Sequence, residues 1–252
     1  MRRAISCDMS LLFSHTFFFK FCLCRTMWMH YPKTEVLFDV DDQYLIGSDL
    51  LVKPVTAPGV VESVVKFPTD DVWYDAESLV KVSGKGKADD IVAITVPSDI
   101  DTIPVFQRGG SVIVRKLRLR RSSRMMMKDP YTLYVALSDT KTASGVLYMD
   151  DEETFDHTLK EEFAESKFIV DFAAGTIQNE VTVGAGWVDT ADSIAKDRMV
   201  ERIVVMGVES SPKSISVNGD SIGFTFDSGS NVLVIRKPDV SALTDWELKV
   251  VF

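Results

Sequence analysis

Five groups of acidic residues are the first candidates for chemistry: Asp39, Asp41 and Asp42; Asp70 and Asp71; Asp89 and Asp90; Asp99 and Asp101; and the run Asp150, Asp151, Glu152 and Glu153. Glycoside hydrolysis needs two carboxylates facing each other about 5–10 Å apart across the scissile bond. Neighbouring residues of a strand point to opposite faces, so no group supplies such a pair by itself. Asp favours the turns between strands, and turn formation is the plainer reading of the middle three groups. The last run carries hard oxygen ligands that suit calcium, yet it lacks the spaced ligands and turn glycine of an EF-hand loop.

Other chemistry-bearing residues are sparse. The histidines are His15, His30 and His157, and they complete no Ser/His/Asp or Cys/His set. Cys7, Cys22 and Cys24 all lie at the N-terminal end, so the bulk of the chain has no disulfide framework. Cys22 and Cys24 could start a zinc site, but His15 and His30 do not supply the remaining ligands at a recognised spacing. Gly109-Gly110 opens a strand pattern, whereas a phosphate loop wants a helix N-terminus. Trp28, Trp73, Tyr74, Trp187 and Trp246 could stack on sugars, although buried anchoring is the commoner use of such rings. Arg115, Lys116, Arg118, Arg120, Arg121, Arg124 and Lys128 form a basic stretch that could meet an acidic partner. Its alternation with Leu117 and Leu119 predicts a half-buried strand with a charged outer face.

These groups sit in a chain of 252 residues with 46% hydrophobic and 26% charged composition, which is globular and excludes a disordered or collagen-like chain. Lys+Arg 28 against Asp+Glu 37 gives a net charge of −9, which repels phosphate backbones and argues against a nucleic-acid partner.

Strands must position the candidates. Short runs of β-branched and aromatic residues alternate with Gly, Pro, Asn, Asp and Ser breaks from residue 49 onward: 49–55, 60–67, 72–75, 91–96, 111–120, 131–137, 145–149, 167–172, 176–183, 200–208, 214–217, 223–226, 231–237 and 246–252. Asn218-Gly219 is a hairpin-turn signal. No segment keeps a helical period over three turns, and 157–168 is the best helix candidate. The pattern predicts an all-β fold of β-sandwiches or a barrel, in two antiparallel β-domains of roughly equal size divided at the Lys/Arg- and Met-rich stretch 115–128.

Residues 1–26 do not match this pattern. Arg2 and Arg3 precede an apolar run from Leu11 to Cys24, in the manner of a secretory signal. His15 and Lys20 interrupt the run, no Ala-x-Ala-like cleavage site follows, and it is too short for a span of about 20 apolar residues.

Three blocks resemble the C-terminal region of glycoside hydrolase family 31. The first is MWMHYP (27–32) with FDVDDQYLIGSDLLVKPV (38–55); the second is VWYD (72–75) with TIPVFQRGGSVIV (102–114). The third is LRLRRSSRMMMKDPYTLYVALS (117–138) with GVLYMDDEETFD (145–156). The resemblance implies a remnant of the end of a (β/α)8 barrel at 27–47, a proximal β-sandwich at 48–128 and a distal one at 129–252. Residues 1–26 then read as a non-homologous leader standing where upstream barrel sequence belongs. The family's Asp-Asp-Gly turn has Glu152 in place of Gly. If that turn needs a positive φ, Glu costs about 1–2 kcal/mol there.

The resemblance also implies a parent α-glucosidase acting by retaining hydrolysis, through one nucleophilic and one acid/base aspartate. Both lie upstream of MWMHYP in the family, and the Trp-x-Asp-Met-Asn-type nucleophile motif is absent here. Asp41 and Asp42 match a structural junction, so no catalytic, cofactor or metal residue carries over. The implied setting is N-glycan trimming in the endoplasmic-reticulum lumen. The implied partners are the parent's barrel, a regulatory β subunit and the parent's carbohydrate substrate, with no nucleic acid and no membrane span. Apolar faces near Trp28, Tyr31 and Leu45 are expected to meet the barrel. Two other readings are a glycan- or partner-binding module using Trp73 or Trp187, and a small enzyme using Asp42 and Asp151.

Overall fold

The computed structural model describes residues 23–99, 101–187 and 198–252. The leader residues 1–22, with Cys7, Cys22 and His15, lie outside the described residues, so the reading of a signal-like run there is not addressed. Leu23–Arg25 do belong to the fold: strand β1 (Cys24–Arg25) pairs antiparallel with β2 (Tyr44–Ile46), Cys24 opposite Ile46.

Alternating β-branched and aromatic residues produce strands throughout. The first part of the chain adds β3 (Leu50–Val52), β4 (Glu62–Pro68), β5 (Trp73–Asp75), β6 (Lys81–Ser83), β7 (Ile91–Pro97) and β8 (Val105–Arg108). These form a six-stranded sheet in the order β1-β2-β3-β8-β5-β6, with β4 and β7 as a separate ribbon. A short helix α1 (Met27–His30) precedes β2. Met27, Leu37, Leu45, Leu51, Phe67, Trp73 and Phe106 share one core under this sheet.

The second part comprises β9 (Ser111–Arg115), β10 (Tyr131–Ala136), β11 (Thr142–Met149), a four-residue helix α2 (Asp156–Leu159), β12 (Ala164–Asp171) and β13 (Thr176–Val183). It continues with β14 (Met199–Met206), β15 (Ser214–Val217), β16 (Asp220–Ser221), β17 (Phe224–Asp227), β18 (Val232–Ser241) and β19 (Trp246–Val251). Eleven strands follow the order β16-β15-β19-β13-β12-β11-β9-β10-β14-β18-β17. Pairing is antiparallel except for β10 with β14 and the single pair Ser111–Ser144 between β9 and β11. The sheet folds over at that weak seam, so Phe168, Ile177 and Leu248 of one half share a core with Leu133, Ile203 and Leu233 of the other. Gly145 permits the seam, because a Cβ there would collide with Val112 O.

The change of sheet comes at Gly109–Gly110, ahead of the basic stretch, because β9 pairs with β10 in the second sheet. Two expectations of secondary structure give way. The strand predicted over 111–120 ends at Arg115, and Leu119 is 86% exposed. Arg120 forms a forked pair with buried Asp129 instead, at 2.6 and 2.9 Å, closing the loop across its base. The helix candidate at 157–168 is one turn only, since Glu161 takes φ 57 and Ala164 starts β12. Side-chain alternation in 164–171, buried on one face, wins over helix propensity.

The two parts lock through Tyr74, whose hydroxyl donates to Leu137 O at 2.8 Å, and fully buried Gln107, whose Nε2 donates to Tyr134 O at 3.0 Å. Val72 and Tyr74 pack on Ala136, Val204, Met206 and Val232.

Candidate functional site

The acidic groups are dispersed and locally held. Asp39, Asp41 and Asp42 are exposed, and Asp42 pairs with Lys53. Asp89 and Asp90 are exposed turn residues, and Asp90 accepts from Ile91 N. Asp99 accepts from Asp101 N. In the run after β11, Asp150 accepts from Glu152 N at 2.8 Å and lies 3.8 Å from His157. Asp151 accepts from Glu153 N, Thr154 N and Thr154 Oγ1, which together hold its carboxyl below the usual range against the opposing effect of burial. Glu152 faces Arg198 and Glu153 faces Arg124. The run is therefore split among separate partners rather than gathered on one point. Among the described residues no group of three or more His, Cys, Asp or Glu could hold a metal ion. Asp42 precedes β2 of the first sheet and Asp151 follows β11 of the second, each satisfied by its own neighbours.

One convergence is absent from the sequence signals. Arg108, at the end of β8, donates to Asp49 at 2.9 Å, to Ser48 O at 2.8 Å and to Asp71 at 3.5 Å. Tyr31, just past α1, donates to the other oxygen of Asp71 at 2.8 Å. Burial and the Asp71 carboxylate push the Tyr31 phenol well above its ordinary range, so it stays a donor. Burial, then Arg108, push His30 down. Both carboxylates are thus neutralised by a guanidinium, which suits a brace and not an acid/base pair. These residues lie far apart in the chain, so no local spacing could have revealed them.

The aromatic candidates divide sharply. Trp73, Tyr74, Trp187 and Trp246 are buried, and the Trp73 and Trp246 indoles donate to Pro68 O and Ser241 O. They are anchors, unavailable for stacking on a sugar. Trp28 is 48% exposed and shares the α1 region with exposed Met29, Val36 and Phe38. These exposed residues lie in the chain on either side of Tyr31, whose hydroxyl belongs to the brace with Asp71.

Residues 21–113 match the glycosyl hydrolase family 31 C-terminal domain, a match that starts ahead of Met27. Residues 21–113 are a glycosyl hydrolase family 31 C-terminal domain. It is 37% identical over 233 residues to "Neutral alpha-glucosidase AB" of Dictyostelium discoideum, covering 90% of this chain and 23% of that protein. Its fold matches a crystal structure of glucosidase II alpha subunit with a TM-score of 0.77 at 28% identity, over 90% of this chain and 26% of that one. It also matches an ER glucosidase II heterodimer of the catalytic subunit and the binding domain of the regulatory subunit. There the TM-score is 0.75 at 28% identity, over 90% of this chain and 25% of that one. The chain therefore spans about a quarter of the length of the relatives it matches. Among its described residues no helix is long and apolar enough to cross a membrane.

Proposed function

We propose that this chain is the non-catalytic C-terminal β portion of a family 31 α-glucosidase of the glucosidase II type, whose parent removes α-linked glucose from N-glycans in the endoplasmic-reticulum lumen. Its task is to brace the catalytic barrel, with residues 27–47 as the barrel's end and two β-units following. The exposure of the large apolar residues Trp28, Met29, Val36 and Phe38 within one short stretch carries this reading, since clustered exposed apolar residues mark interaction surfaces. Asp49 and Asp71, which converge, are both paired to Arg108, and this supports a bracing role. A regulatory subunit, of the kind present in the heterodimer structure, is a further partner of the parent.

The native mass tests the reading, by immunoblot with an antibody raised to residues 129–252. A single band several times heavier than 28.1 kDa is expected. A band at the mass of this chain, together with turnover of an α-glucoside lost in Asp42→Ala or Asp151→Ala, would establish a small enzyme instead.

A further inference from the structure

Register places three arginines in one row on the outer face of the second sheet. Thr132 of β10 pairs with Arg115 of β9 on one side and Arg202 of β14 on the other, and Arg202 pairs with Arg236 of β18. Directly paired residues share a face, so Arg202 and Arg236 stand side by side with Cβ atoms about 5 Å apart. The same face carries Tyr134, Val204 and Val234 in the adjacent row, against which Val72, Tyr74 and Leu79 of the first part pack.

Like charges directly opposed across two strands destabilise a sheet unless something offsets them. Arg115 is engaged, donating to Ala76 O at 3.3 Å and lying over the Tyr134 ring. Among the described residues neither the Arg202 nor the Arg236 guanidinium has a hydrogen-bond or ion-pair partner. Glu201, next to Arg202 in the chain, pairs with Arg118 at 3.3 Å. Beyond Arg236 the neighbouring backbone is Gly223, with open space where a Cβ would stand. Between Arg115 and Arg202 the Thr132 hydroxyl is fully buried and without a hydrogen-bond partner. Two residues along β18 from Arg236, on the same face, Val234 joins Leu79, Val232, Ser78, Thr225 and Asp227 in lining a notch of about 290 Å³. The Asp227 carboxylate is already taken by Gly229 N and Ser230 Oγ.

We propose that Arg202 and Arg236 seat the phosphate of a small phosphomonoester whose body lies in the notch. Two forked guanidiniums match a dianion with three free oxygens, whereas one carboxylate would satisfy only one fork. The notch has the size of the smallest ligand pockets, and its hydroxyls and apolar floor suit a hydroxylated ring. The site is independent of the parent's hydrolysis.

The test is calorimetric titration of the 252-residue chain at low salt with inorganic phosphate, glucose 6-phosphate and glucose. Glucose 6-phosphate is expected to bind saturably and more tightly than inorganic phosphate, with no binding of glucose. Arg202→Gln and Arg236→Gln should each weaken it about tenfold or more, the loss of one charge-assisted fork, while Arg121→Gln changes nothing. Arg236→Lys, on an exposed position, should keep the melting temperature and still lose affinity. Inorganic phosphate binding as tightly as glucose 6-phosphate would overturn the monoester assignment. Absence of saturable binding, or binding that survives both Gln substitutions, would overturn the site.

Discussion

The Glu152 carboxylate lies 3.7 Å from the guanidinium of Arg198, a side chain only 6% exposed, while the Glu152 backbone holds φ 58. A residue that pays backbone strain therefore also supplies the counter-charge of a buried cation. Arg198 further donates to Met127 O at 2.9 Å and Tyr131 Oη at 3.3 Å, tying the basic loop to the start of β14.

That pairing separates two substitutions. Glu152→Gln keeps the strain and removes the charge, and should lower stability by about 1–2 kcal/mol, below the range for a fully buried pair because Glu152 is solvated on one side. Glu152→Gly should come out near zero, since relief of about 1 kcal/mol of strain offsets the lost pair. Urea unfolding midpoints at constant slope measure both; equal losses would show that the strain is unimportant.

Gly207 decides how closely the two parts approach. It holds φ 84, and a Cβ there would run into the Tyr74 hydroxyl. Gly207→Ala should therefore cost at least about 2 kcal/mol, from backbone strain and a displaced Tyr74 together. The same chemical denaturation reads it. Tyr74→Phe, which removes only the bond to Leu137 O, should cost about 1 kcal/mol.

Acid stability should report Asp129. The hydrogen bond from Arg120 holds this carboxyl below its usual range, burial opposes, and the Arg120 and Arg118 charges assist. Its folded pKa is lower than the unfolded one, so the unfolded chain takes up the proton first as pH falls. The contribution is whole above the ordinary carboxylate range of about 4 and disappears as pH drops through the depressed folded value. Asp129→Asn should flatten that acid limb in thermal melts between about pH 5 and 2 while lowering stability at pH 7. An unchanged limb would exclude the pair as its source.

Exposed Trp28 and Phe38 should drive self-association of the isolated chain. Trp28→Ser with Phe38→Ser is expected to shift its sedimentation toward a monomer without lowering its melting temperature by more than a few degrees. Unchanged association would move the sticky surface elsewhere.

Local chemistry made much of this molecule legible in its sequence. Period-two alternation fixes strands because the pleat exposes alternate residues to opposite faces. Asn218-Gly219 forms its turn with both residues at positive φ, since only such residues enter that region cheaply. Glu152 stands at the positive φ anticipated from the acidic turn. Partnership was another matter. Whether Asp71 is an acid or half of a brace depends on Arg108 and Tyr31, and whether Trp73 stacks on sugar depends on the core that closes over it. The basic stretch left the ladder at Arg115 because Asp129 sits across the loop from Arg120. Register alone brought Arg202 and Arg236 together. A sequence specifies which backbone shapes each segment prefers; charge neutralisation, burial and cross-strand neighbours come from segments far apart, and only packing decides them.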